Sequence, residues 1–535
     1  MPLPRPLLGS LIALTAAGLV WLTHSRAPSA SLSPLAVAER PDGQPEAYYA
    51  VGNEALTTGL TLLTDYWTTL LNENPNLARG HTDHYLPPAL KDLGYRPADA
   101  LMAQLAETFF AARDPKTGLI PYAYDAELPS DPNDPSARTT TANKQPVGLI
   151  DRAAELCRWS PSDRTLQTRC TELAQSTIDH FDVPQPDSRQ PGAPTGLWGW
   201  VDVASGAAPR HALTLTQDYG QVALGLMTLA NARADWRSWA DQKLQFVWQH
   251  PQSPTLPLLY EQFVLTQGLE RPEEPSSDTD TLYFVRQLFE LCHLTNQPQY
   301  CNWAMATTNV WVERAWVPEW GHFVRKLNAD GSPAVDSLYG DGKYNTLYIL
   351  VQAYRVTGDR AYLDRLQLAW NTLKNLGENG LAPEMVRQGS RVADQGLDPQ
   401  QTIFLDILLE AYAASNDPAF LRAAENLGDR ILEQGESAMW LESGQAGVAL
   451  LKLAQARQAI GRLELDLPTA NTHLTLSHRG QTLLHTQVPG KIAIVYLPQA
   501  TYTIVTQSEG DTHTLPIQLG ESMQLTVPSN VETAN

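Results

Sequence analysis

The chain has 535 residues, 43% hydrophobic and 18% charged, with a formal net charge of −20. A chain of this length buries a large core and has room for more than one domain. Its acidity excludes the broad basic surface needed for non-specific nucleic-acid binding, though not a small basic pocket for an anionic ligand.

The N-terminus reads as an export signal. Arg5 is followed by an uncharged, mostly apolar run from Leu7 to Thr23, then by His24, Arg26 and a stretch rich in Ser, Ala and Pro. That order fits a secretory signal or a short membrane anchor over residues 1–40. The apolar run is at the short end of what spans a bilayer. Ala36-Val37-Ala38 has the small-x-small form of a cleavage site, so cleaved signal and retained anchor are both open. The expected location is periplasmic or extracellular. Beyond the leader, Tyr48–Leu71 is predicted to form an additional N-terminal helix. His81-Thr82-Asp83-His84 is a weak metal-like pattern, and no metal or cofactor is assigned.

From about Pro45 to Gly461 the chain repeats itself. Ile349-Leu350-Val351-Gln352-Ala353-Tyr354, a turn at Thr357-Gly358-Asp359, and Tyr362-Leu363 form one phrase. Leu408-Leu409-Glu410-Ala411-Tyr412, a turn through Asn416-Asp417-Pro418, and Phe420-Leu421 form its echo. Apolar residues recur at helical spacing in both. Two further copies carry the cysteines, in matched contexts Glu155-Leu156-Cys157 and Glu290-Leu291-Cys292. Cys157 with Cys170 and Cys292 with Cys301 would each staple one helical hairpin, the simplest of three possible pairings. Such bonds persist in oxidising compartments. Four buried thiols are the alternative reading.

Between hairpins stands a short aromatic or apolar element, often led by Gly, as in Gly196-Leu197-Trp198-Gly199-Trp200 and Trp320-Gly321-His322-Phe323. Six helices precede such an element, starting near Pro97, Ser162, Trp236, Gln297, Arg360 and Pro418. Six follow it, near Gln145, Gln217, Asp278, Asp341, Asp398 and Ser443. Six pairs over residues 41–461 can close into an (α/α)6 toroid with one layer inside and one outside; an open solenoid is the alternative. Closure is favoured because a stretch such as Gly220–Ala230 is apolar nearly all round. After Gly461 the period changes to two, in Leu463-Glu464-Leu465-Asp466-Leu467 and His473-Leu474-Thr475-Leu476, with glycines between the runs. Residues 462–528 are expected to form a small all-β sandwich, and 529–535 a polar tail.

The six-pair pattern, with a Gly-aromatic strand before each inner helix, resembles the (α/α)6-toroid carbohydrate enzymes: glycoside hydrolases, unsaturated-uronyl hydrolases, polysaccharide lyases and sugar 2-epimerases. The resemblance covers about four-fifths of the chain, and no motif picks out one family. It implies a carbohydrate substrate bound where the inner helices begin.

That end carries carboxylates at Asp218, Asp278, Asp280 and Asp341. Glycoside hydrolysis needs two carboxyl groups of different pKa, one as acid and one as base or nucleophile. Helix capping is the competing role, since Asp oxygens accept the free N–H groups of a first turn. Asp341 is the leading candidate, lying between Gly340 and Gly342 and followed by Lys343. Trp198, Trp200, Tyr219, Trp320 and Tyr339 offer aromatic faces on which sugar rings stack, or else fill space between helices. His322, Arg325, Tyr339 and Lys343 together suit a uronate. In a lyase, His322 or Tyr339 would move the proton while Arg325 or Lys343 neutralised the carboxylate. A catalytically silent glycan-binding or envelope-assembly protein is the third reading.

Overall fold

A computed structural model of the chain describes residues 46–49, 62, 98–121, 144–183, 195–208, 212–229, 233–265, 269–270, 276–334, 337–339, 341–392, 396–435, 445–456, 460–467, 472–478, 481–488, 491–498, 501–508, 511–520 and 522–527. Residues 1–40, expected to form an export signal or anchor, and the His81–His84 pattern lie outside the described residues. Among those described, no helix is long and apolar enough to cross a membrane.

Twelve helices are delimited among the described residues. Six form one set: α1 (Ala98–Ala111), α3 (Arg164–Phe181), α5 (Ala234–Gln249), α7 (Pro298–Arg314), α9 (Arg360–Leu376) and α11 (Pro418–Gln434). They alternate with α2 (Leu149–Trp159), α4 (Thr216–Thr228), α6 (Thr281–Thr295), α8 (Asp341–Thr357), α10 (Gln401–Ser415) and α12 (Gln445–Ala456). The turn chemistry explains the hairpins. Asp163, Asp359 and Asp417 each accept a backbone N–H at the start of α3, α9 and α11. Asn296 and Asn416 take the left-handed conformation that ends α6 and α10, and Pro298 and Pro418 open the next helix.

The second set forms one continuous row, in which α2, α4, α6, α8, α10 and α12 each pack against the next. From α2 to α10, each also packs on the helix that follows it in the chain. The row is tight where α4 passes between α2 and α6. A Cβ on Gly225 would lie 2.8 Å from the backbone nitrogen of Asp151, and one on Gly220 would overlap Gln287. Strands of two to four residues form small sheets among the connecting segments.

Both expected disulfides are present. Cys157–Cys170 and Cys292–Cys301 have Cα separations of 6.6 and 5.4 Å, inside the range a disulfide bridges. No cysteine is free.

The C-terminal region is β structure. Its strands are β2 (Ile460–Asp466), β3 (Thr472–His478), β4 (Gln481–Val488), β5 (Lys491–Pro498), β6 (Thr501–Ser508), β7 (Asp511–Gln518) and β8 (Ser522–Thr526). One sheet has the order β4-β3-β6-β7. The other has β1-β5-β2-β8, in which β1 is Glu46–Tyr49. Tyr48 and Tyr49, expected to open a helix, instead pair in parallel with Ile494 and Val495 of β5. The bare edge of an apolar strand is a strong template for a further strand, which outweighs helical propensity over four residues. Leu463, Leu465, Leu474, Leu476, Tyr502 and Ile504 form a hydrophobic core distinct from the helical one.

Candidate functional site

At the start of α6, Asp278 is 4% exposed and accepts from the Thr279 hydroxyl, the Asp280 N–H and Arg325 Nε. Arg325 also lies 3.8 Å from the Asp280 carboxylate, whose side chain is 36% exposed. Asn345, in the first turn of α8, donates to the Thr279 carbonyl. Asp278, Asp280, Arg325 and Asn345 therefore come together at the start of α6.

The other residues singled out in the sequence are used differently. Asp218 accepts from the Leu215 N–H and so caps α4. Tyr219 is fully buried, stacks on Phe246 with centroids 5.8 Å apart, and its hydroxyl accepts from the Leu197 N–H. Lys343 is fully buried too. It pairs with Asp398 at 2.5 Å and donates to the carbonyls of Pro383 and Glu384. A cation with no exposed surface is held by protein groups, not offered to a ligand. His322 is 1% exposed, bonded through Nδ1 to the Phe323 carbonyl, and beside Trp320. Burial lowers its pKa, and its hairpin packs on α9, away from the row. Trp198, Trp200 and Trp320 are half-buried. Asp341 is the first residue of α8 and Tyr339 ends the strand Ser337–Tyr339; both side chains lie outside the described residues.

A second set of polar groups runs down the row of inner helices. Aligning the repeat phrase places Glu155, Gly225, Glu290, Gln352, Glu410 and Lys452 at one position, each followed by Leu or Ala. One turn earlier stand Asp151, Gln221, Arg286, Tyr348, Asp406 and Val448. Residues four apart share a helix face. Most of these are polar.

Their contacts run from helix to helix. Arg286 pairs with Glu290 at 3.2 Å, and its guanidinium sits 4.1 Å from the Tyr348 ring centroid. The Tyr348 hydroxyl donates to Asp406 at 2.5 Å. Lys452 donates to Asp406 at 2.6 Å and to Glu410 at 3.0 Å, and Arg355 pairs with Glu410. Side chains of α6, α8, α10 and α12 are thereby joined in a single ionic chain. On the far side of α4, the charge of Glu290 acts on Asp151 and Glu155 of α2, raising the pKa of both.

These surroundings separate the carboxyl groups into two kinds. Desolvation, reinforced by the Glu290 charge and opposed by Arg152, pushes Asp151 up to about 8. Glu155 is also raised well above the usual range, by desolvation and then by Asp151. Both keep some solvent contact. Burial alone would raise Glu410 as well, but Lys452 and Arg355 hold it down to about 2. Proton-bearing and ionised carboxyls thus line the same row of helices, an arrangement common at catalytic sites and also found in structural ion networks.

Reading the sequence for helix N-termini passed over Asp151, Glu155, Glu290, Asp406 and Glu410. Glu155 and Glu290 stood in view as neighbours of the cysteines. The usable signal is their recurrence, in phase, in every repeat but the one that carries Gly225.

No family model matches the chain, and no curated protein matches it. Solved structures with a similar helical outline include an alpha-1,2-mannosidase from Trichoderma reesei, at 11% identity over 75% of this chain and 94% of that chain, TM-score 0.49. A cellobiose 2-epimerase from Bacillus thermoamylovorans matches at 13% identity over 65% and 95%, TM-score 0.47. An unsaturated glucuronyl hydrolase specific for heparin matches at 9% identity over 58% and 85%, TM-score 0.37. All are carbohydrate-active proteins of the (α/α)6 type. The likeness is in helical architecture. At these identities and TM-scores it decides nothing about substrate or chemistry.

Proposed function

We propose that the chain is an exported glycoside hydrolase acting on an extracytoplasmic oligo- or polysaccharide. In this reading residues 41–461 close into a six-pair ring around a polar lumen, with strand β1 leaving it to join the β unit. Residues 462–528 form a separate β-sandwich. The feature that carries the reading is the row of carboxyl groups along these helices, where burial raises the pKa of Asp151 and Glu155 while Lys452 and Arg355 lower that of Glu410. Hydrolysis of a glycosidic bond needs a proton for the leaving oxygen and a carboxylate to activate water or attack carbon. Asp151 is assigned as the acid. Glu290, ion-paired with Arg286, is the carboxylate facing it. Asp278, Asp280 and Arg325 guard the entrance with Asp341, and Trp198 and Trp200 supply faces for sugar rings.

A lyase would need Lys343 or Arg325 free to neutralise a uronate, and both are engaged by carboxylates. A silent scaffold would have no need of ionic groups where apolar side chains could fill the ring. The two disulfides are consistent with export.

The test is a panel of polysaccharides and oligosaccharides, reading new reducing ends alongside the ultraviolet absorbance of unsaturated products. The expected result is reducing ends without unsaturation. Asp151→Asn should lower the rate ~100-fold or more, and Asp341→Asn tests the entrance in the same assay. Unsaturated products would establish a lyase. Full activity in Asp151→Asn would remove it as the acid.

A further inference from the structure

The sheet β4-β3-β6-β7 has one face in the hydrophobic core, where Leu474, Leu476, Tyr502 and Ile504 are buried, and one face turned outward. Side chains alternate along a strand. The outward positions are therefore 473, 475 and 477 of β3, 485 and 487 of β4, and every second residue of 501–507 in β6 and 512–518 in β7. All are exposed or half-buried, and not one is Asp, Glu, Lys or Arg. A surface that is ~25–35% charged would place about four charges on a face of this size. The other sheet does carry outward charge, at Glu464 and Asp466 of β2, beside the buried Leu463 and Leu465. The register sets the neutral residues in rows. Gln487, His473, Gln507 and Thr512 lie side by side, and His485, Thr475, Val505 and Thr514 form the next row. At ~4.8 Å between strands, each row is about 14 Å wide.

We propose that this outward face is a second carbohydrate-binding site, separate from the helical region, and that it takes an uncharged polysaccharide. The match is one of charge and of hydrogen-bonding type. Thr, Ser and Gln side chains both donate and accept, as sugar hydroxyls do, and a neutral polyol meets no like charge and leaves no ion unpaired. The His473 and His485 rings, inclined by 19° with centroids 6.3 Å apart, add flat aromatic faces. The Thr475 hydroxyl, hydrogen-bonded to His485 Nδ1 at 2.7 Å, fixes one of them. A nucleic acid or acidic polymer would need cations that the face lacks. A protein partner would need apolar anchors, and Val505 and Pro516 are its only aliphatic residues. The choice of a glycan rests on the carbohydrate reading above. Binding is measured without turnover, so the two readings fail separately.

The experiment measures depletion of the full chain from solution by insoluble cellulose, chitin, mannan and starch, and its retardation in gels containing alginate or polygalacturonate. The chain should be retained by at least one neutral polymer and by neither acidic one. Val505→Glu and Thr514→Glu each put a charge in the middle rows and should weaken retention roughly tenfold or more, with circular dichroism and melting temperature unchanged. Glu464→Gln, on the opposite sheet, should bind as wild type. Where a charged variant loses its fold, His473→Ala/His485→Ala replaces it, with the same loss expected. Retention by no neutral polymer would overturn the proposal, as would equal retention of wild type and face variants. So would a dimer in size-exclusion chromatography that Val505→Glu or Thr514→Glu dissociates, since the face would then be an interface between copies. A chain that binds a neutral polymer but cleaves none leaves this inference standing and removes the hydrolase. Hydrolysis without binding at the face does the reverse.

Discussion

Asp151→Asn tests the surroundings of this carboxyl without knowledge of the substrate. In the folded chain this carboxyl titrates at about 8, against 3.8 for an ordinary Asp. Between those values the unfolded chain has lost the proton and the folded chain keeps it, so folding takes up a proton. Stability must then fall as pH rises, by ~1.4 kcal/mol per pH unit between about pH 4 and 8. Below that window both states are protonated and the group contributes nothing; above it the cost is constant. At pH 7 full burial would give a cost of ~4 kcal/mol, but Asp151 keeps some solvent contact, and screening by that solvent reduces the figure to ~2 kcal/mol. Asn keeps the shape and cannot ionise. The variant should therefore match wild type near pH 4 and exceed it by ~2 kcal/mol near pH 7, read from urea midpoints across the range. A stability difference that does not change with pH would refute the reasoning, because it would mean that Asp151 titrates alike in the folded and unfolded chain.

Gly225→Ala should destabilise by ~2–3 kcal/mol, since the added methyl meets the Asp151 backbone and neither can yield; Gly396→Ala, with no atom within 4 Å, is the neutral control in the same thermal melts. Lys343→Met should cost ~3–5 kcal/mol by leaving Asp398 buried and unpaired, and adding Asp398→Leu should recover most of the loss in denaturant titrations. Glu410, held at about 2 against 4.5, stabilises above its ordinary value and loses that contribution as pH falls to about 2. Lys452→Met should remove most of this, ~2 kcal/mol, and flatten the acid limb of the stability curve; an unchanged limb would mean that Arg355 alone suffices.

Much of the fold was legible in the amino-acid order. The twelve helix starts fell close to where capping and periodicity put them, because Asp163, Asp359, Asp417, Pro298 and Pro418 act within one turn of their own position. The cysteine pairs were legible for the same reason, each joining the two arms of a single hairpin. The strand at Glu46–Tyr49 was not, since its partner lies more than four hundred residues away and local propensity carries no record of it. The site was read only in part. Asp278, Asp280 and Arg325 do converge, while Tyr219, Lys343 and His322 turned inward. A Tyr, Lys or His is amphipathic, and its own sequence does not say whether the polar tip finds water or a buried partner.

The sequence by itself determined the helical repeat, the hairpin staples, the change to β structure near residue 460 and the acidity of the chain, all of which depend on residues close together in the chain. The tertiary structure alone decided which carboxyls meet. Gly225 and Gly220 let α4 pass close to the Asp151 backbone of α2 and to Gln287 of α6. Burial, with the Glu290 charge beyond α4, raises the pKa of Asp151. Both are properties of the space between helices, which no single helix encodes.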